Sequence, residues 1–117
     1  NRDAILLAQL AQAYAGAGDA ATARAYGHAA YALAPGSAYV ADAYGWAVYQ
    51  AGDSGAALQL ATKAAAIAPA NTTIRWHLAQ LLAEEKRTGA AKAAIETVLR
   101  DPAFTDRAAA TALLKAL

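Results

Sequence analysis

His28 and His77 are the only two histidines of the chain, and they are the first residues to test for chemistry. A metal or proton-transfer site needs imidazoles at helical spacing or beside carboxylates, yet neither ring sits in an H-E-x-x-H or comparable pattern. His28 reads instead as a packing neighbour of Tyr31 on one helix. With no cysteine there is no thiol nucleophile, no disulfide framework and no clue to the redox compartment. Ser37 and Ser54 stand where helices should begin, which suits capping better than nucleophilic attack. Gly16, Gly18, Gly36, Gly52, Gly55 and Gly89 fall singly at turns and helix starts instead of gathering into a phosphate loop. No acid, base and nucleophile assemble, so the expectation is a non-catalytic protein without cofactor or metal.

What remains is aromatic. In the stretch DAYGWAVYQAGD, from Asp42 to Asp53, steps of 100° around a helix put Tyr39, Asp42, Trp46, Tyr49 and Gln50 on one side. Val40, Tyr44, Ala47, Val48 and Ala51 take the other. One side can serve the core of its own domain. The second aromatic face then asks for either a ligand or more packing.

Composition limits what that ligand can be. The chain has 117 residues, enough for one small domain, and a net charge of +1, which argues against a nucleic-acid or anionic-membrane surface. Its 58% hydrophobic content overstates apolarity, because about a third of the residues are Ala, the strongest helix former. No stretch has the roughly eighteen consecutive apolar residues of a membrane span, and no basic-plus-apolar leader opens the chain. Residues 72–117 hold seven of the ten basic and five of the nine acidic groups, so the C-terminal end reads as solvated and the N-terminal end as an interface.

The elements that position the aromatics come from an internal repeat. Leu10, Tyr44 and Leu78 step by 34 residues, as do Tyr14, Val48 and Leu82, Ala11, Gly45 and Ala79, and Ala23, Ala57 and Ala91. Gly18-Asp19 recurs as Gly52-Asp53 and Pro35 as Pro69, so each unit divides into two helices with Asp19 and Asp53 as N-caps of the second and proline just past its end. The small residues let paired helices approach, and the Leu10 and Tyr14 sets fill the space between units. After Phe104, Thr105 is the expected N-cap of a last helix with Ala109, Ala112, Leu113, Leu114, Ala116 and Leu117 as its apolar stripe. Lys86, Arg87 and Lys92 read as a solvated surface paired locally with Glu85 and Glu96.

This pattern resembles the tetratricopeptide repeat. The resemblance implies an all-α, right-handed α-solenoid of three helix pairs, residues 4–37, 38–71 and 72–104, closed by a capping helix over 105–117. Gly27, Ala61 and Ile95 stand where the family usually has a large aromatic in its second helix, which implies closer packing there. With no cap before the first helix, the expectation is the C-terminal fragment of a longer repeat protein, able to self-associate through its uncapped N-terminal end.

In that architecture the first helices line the concave side. They place Gln9, Gln12, Tyr39, Asp42, Trp46, Tyr49, Gln50, Thr73, Trp76, His77, Gln80 and Glu84 on one groove, where aromatic faces and amide edges suit a protein or peptide partner or a polysaccharide. The Lys, Arg and Asn that grip a C-terminal carboxylate elsewhere in the family are absent from these positions. Residues 73–117 also resemble the end of the tetratricopeptide lipoproteins of bacterial PEP-CTERM/exosortase exopolysaccharide systems, through Ile74-Arg75, His77-Leu78-Ala79, Thr88-Gly89 and Phe104. That resemblance implies a bacterial periplasmic or outer-membrane setting in place of a cytoplasmic one, within an export assembly. The rival expectation is architectural, with Trp46 and Trp76 packed internally and the binding site upstream.

Overall fold

The computed structural model describes residues 1–117 and is entirely helical. Its seven helices are α1 (Arg2–Gly16), α2 (Ala20–Leu33), α3 (Ala38–Gln50), α4 (Ser54–Ile67), α5 (Thr72–Glu84), α6 (Thr88–Leu99) and α7 (Arg107–Ala116). They pair in sequence order, α1 with α2, α3 with α4 and α5 with α6, and each pair packs on the next in a body of 38 × 26 × 22 Å. No helix is long and apolar enough to cross a membrane.

Local chemistry sets the breaks. Asp19 and Asp53 accept the backbone N–H groups of Thr22 and Ala56 at 3.2 and 3.1 Å, satisfying donors that a helix start leaves open. Before them the chain reverses through Gly18 and Gly52, at φ of 84° and 100°. Ser37 and Asn71 cap α3 and α5 through the N–H groups of Val40 and Ile74. The third unit departs from this pattern: Lys86 takes the left-handed conformation at φ 62°, and Arg87, at the N-cap, makes no side-chain bond. A side chain with a Cβ is strained there, and an orphan N–H is left to solvent.

Alanine makes the pairs close. Ala4, Ala8, Ala11, Ala23, Ala30, Ala57 and Ala91 are fully buried, while Val40, Val48, Leu81, Ile95 and Val98 supply the large buried side chains. The closest approach is at Gly27, where a Cβ would lie 3.0 Å from the Cα of Tyr44 and 2.9 Å from its ring. The Tyr44 ring fills that notch and leans on Tyr31, whose hydroxyl accepts from Lys63 Nζ of α4 at 2.6 Å. The buried residues form successive clusters, bridged by half-buried Tyr31, Leu78 and Leu82. Each helix pair therefore shares its core with the pairs stacked beside it.

Four expectations need correction. Leu10 and Tyr14 do not fill a space between units; both lie exposed on α1, with Tyr14 stacked on Tyr26 at 5.5 Å, because no helix packs on that face. Asp106, not Thr105, precedes α7, and its carboxylate caps nothing. The connection is instead braced by Arg107, which donates to the carbonyls of Leu99 and Asp101 at 2.7 and 2.9 Å and so satisfies the end of α6. The α7 stripe is Ala110, Leu113, Leu114 and Leu117, packed on Trp76 and Phe104, whereas Ala109, Ala112 and Ala116 are exposed. Finally, Lys86, Arg87 and Lys92 form no ion pair with Glu85 or Glu96, and Glu85 accepts from the Ser54 hydroxyl at 2.7 Å.

Candidate functional site

The first helices α1, α3 and α5 lie side by side, and along them runs a chain of depressions that share their walls. The largest, about 570 Å³, lies between Trp46, Trp76 and His77 on one side and the connection from Asp101 to Asp106 on the other. A cavity of about 380 Å³ continues from Trp76 and Gln80 past Tyr49 and Glu84 to Leu113 and Leu117 of α7. Toward α1, two smaller hollows of about 170 and 230 Å³ share Gln12 and Asp42. Gln50 joins the first and Tyr39 the second, while Gln9 is exposed but lines none of the four.

Asp42 and His77 sit at the centre of this groove. The carboxylate is only 5% exposed and its Oδ1 lies 2.8 Å from His77 Nδ1, a bond across 35 residues that ties α3 to α5. The His77 side chain, 20% exposed, stacks under Trp46 with ring centroids 4.3 Å apart and planes 21° from parallel. Trp46 also leans on Tyr49 at 5.1 Å. An imidazole beside a carboxylate is two-thirds of a hydrolytic triad, but no hydroxyl hydrogen-bonds to the ring. The pair orients an aromatic stack rather than a nucleophile. His28 lies apart on α2, edge-on to Tyr44.

The two tryptophans have different roles. Trp46 is half-buried and presents surface to two of the depressions. Trp76 is 6% exposed and belongs to the core that α7 closes, set edge-on to Phe104 at 5.8 Å, so it contributes a rim to the groove and most of its area to packing. The helical wheel gives the direction of both side chains but not their depth. That depth is set by the connection before α7, where Phe104 folds back on Trp76.

Two ionisable groups on this surface are perturbed. Burial, then the charge of Asp42, pushes the Tyr39 phenol above its ordinary value; its hydroxyl donates to Gln12 Oε1 at 2.7 Å. Asp101 is held below the usual carboxylate range, chiefly by the Thr72 hydroxyl at 2.6 Å, then by the Ala103 N–H, against a small opposing effect of burial and with help from Arg107. The connection residues Asp101, Ala103, Thr105 and Asp106 went unread as groove residues. Their signal was the early Pro102, which shortens the third unit and brings the turn over α5.

In shape the chain is similar to the type III secretion translocator chaperone SycD of Yersinia enterocolitica. One SycD structure aligns at a TM-score of 0.82 and 16% identity over 95% of this chain and 80% of that one. SycD in complex with a peptide of the translocator YopD aligns at 0.80 and 15% identity, covering 99% and 92%. An alternative SycD dimer aligns at 0.82 and 17%, with the same coverage. No curated protein matches the chain in sequence. The family model described as tetratricopeptide repeat matches residues 48–117, more than half of the sequence, and the chain belongs to that family.

Proposed function

We propose that the chain is a non-catalytic scaffold whose groove along α1, α3 and α5 holds an extended peptide of a protein partner. One observation carries this reading: connected depressions run the length of the first helices, walled by the exposed parts of Tyr39, Trp46 and Tyr49 and the rim of Trp76. Aromatic walls offer area for alternate apolar side chains, and Gln12, Gln50 and Gln80 offer partners for a peptide backbone. SycD, similar in fold, has been solved with a translocator peptide bound. A setting in a bacterial envelope or exopolysaccharide-export assembly draws on the resemblance of residues 73–117 alone; a glycan as the ligand draws on that resemblance and on the aromatic faces, on which sugars can stack.

Tryptophan fluorescence titrated with capped apolar nonapeptides tests the groove. Trp46→Ala should weaken binding about tenfold or more, since truncating an aromatic anchor costs ~2 kcal/mol, while leaving the helical circular dichroism intact. Equal binding by the variant sinks the proposal. Trp76→Ala is not a fair control, because emptying its core site should cost about 3–5 kcal/mol of stability.

A purely architectural role is the second reading, favoured by the stacking of Trp46 on His77 and by the burial of Trp76, which together use up much of the aromatic area. Self-association belongs with it, through Leu6, Leu10 and Tyr14 on the open side of α1.

A further inference from the structure

The charges along the groove are of one sign. Asp42, Glu84, Asp101 and Asp106 line its four depressions, whereas none of the ten lysines and arginines lines any of them. Four of the nine acidic groups against none of the ten basic ones is not what a protein of net charge +1 gives by an even scatter. Arg107 sits beside Asp101 but spends N–H groups on two backbone carbonyls. Asp42 is occupied by His77 and both oxygens of Asp101 already accept, from Thr72 and Ala103, which leaves Glu84 and Asp106 as the carboxylates without a partner on the two larger cavities. Asp101 keeps its charge to lower pH than an ordinary carboxylate because Thr72 and Ala103 donate to it.

A second observation asks for the same chemistry. Gln80 lines both larger cavities, and its buried Oε1 has no hydrogen-bond donor anywhere in the structure. A buried acceptor left without a donor costs stability, and a ligand can supply that donor once the Gln80 amide turns toward the cavity. The carboxylates are likewise acceptors only. Between them stand the exposed part of Trp46 and the rim of Trp76, aromatic surfaces beside which a cation is favoured.

Resting on the peptide reading above, we infer that the groove selects peptides carrying a basic side chain, arginine before lysine, seated in the cavity between Trp46, Gln80 and the Asp101–Asp106 connection. A guanidinium is planar, stacks on an indole and brings five donors to a site built of acceptors, whereas an ammonium offers three donors and no flat face. Peptides rich in Asp or Glu are repelled by the same field.

The experiment uses the full chain and a positional library of capped nonapeptides with a constant apolar frame and one variable central residue. Arginine should bind about tenfold more tightly than norleucine at that place, with lysine between and glutamate weakest. The preference should shrink when salt rises from about 50 to about 500 mM, as screening of an exposed charge pair requires. Asp106→Asn and Glu84→Gln, both at exposed positions whose carboxylates make no hydrogen bond in the structure, should each weaken the arginine peptide by a larger factor than the norleucine peptide, and equal factors for the two peptides count against the inference. Equal affinity for arginine, norleucine and glutamate overturns the inference and leaves the groove reading standing. Failure of every peptide to distinguish the native chain from Trp46→Ala overturns the groove reading itself.

Discussion

Leu6 on α1 and Ile74 on α5 occupy the same place in their units, two steps of 34 residues apart, yet Leu6 is 52% exposed and Ile74 only 3%. Val40, midway between them, is fully buried. The difference lies in what packs on each. Val40 packs against Ala30 of α2 and Ile74 against Ala64 and Ala65 of α4, whereas in the structure no helix covers this face of α1. In a stacked fold a position becomes core through its neighbour, so residue type alone cannot announce burial.

The sharpest way to break that comparison is to truncate both residues. Ile74→Ala should cost about 3 kcal/mol, within the range for emptying a packed site, and Leu6→Ala about 0.5 kcal/mol, the value for a surface change, both read from urea unfolding midpoints. Similar losses at the two sites would mean that α1 is covered in solution. Sedimentation of the same proteins then tells whether a second copy covers it, since self-association should be weakened by the Leu6 change and untouched by the other.

The links across the groove differ in the same direction. Toward the C-terminal end the tie is the part-buried Asp42–His77 bond; toward the N-terminal end it is the exposed bond from Tyr39 to Gln12. His77→Leu strands a buried carboxylate and should cost about 2 kcal/mol, whereas Gln12→Ala should cost less than about 0.5 kcal/mol. Thermal unfolding followed by circular dichroism measures both, and equal small effects would reduce the pair to a surface contact.

Smallest is the gain expected from making the third turn like the first two. Lys86→Gly removes left-handed strain and Arg87→Asp supplies the missing cap, each stabilising by about 1 kcal/mol. Chemical denaturation of the single variants checks this, and a loss at Lys86 would show that its side chain holds something the turn needs.

Much of this architecture was legible because the 34-residue step fixes helix breaks through local chemistry. Asp19, Asp53 and Ser37 cap where their spacing to the next helix requires it. The strain at Lys86 was equally open to reading, since the residue stands in register with Gly18 and Gly52. The site was legible in direction but not in depth. Angles around a helix distinguish Trp46 from Tyr44, but they cannot tell that Phe104 will bury Trp76 or that Asp42 will meet a histidine 35 residues on. Those outcomes depend on how successive pairs stack and on the loop after α6.

The Asp42–His77 bond has one more consequence. It is the one side-chain hydrogen bond between α3 and α5, which otherwise meet through the Trp46–His77 stack and through apolar clusters shared with α4. A single short bond between two adjacent ribs of a curved stack acts as a tie-rod, fixing how far the ribs can fan apart. Because the ring it holds is also the one under Trp46, the bend of the stack and the tilt of its main aromatic wall are set by the same strut. Loosening it would alter the pitch of the groove before it altered any one pocket.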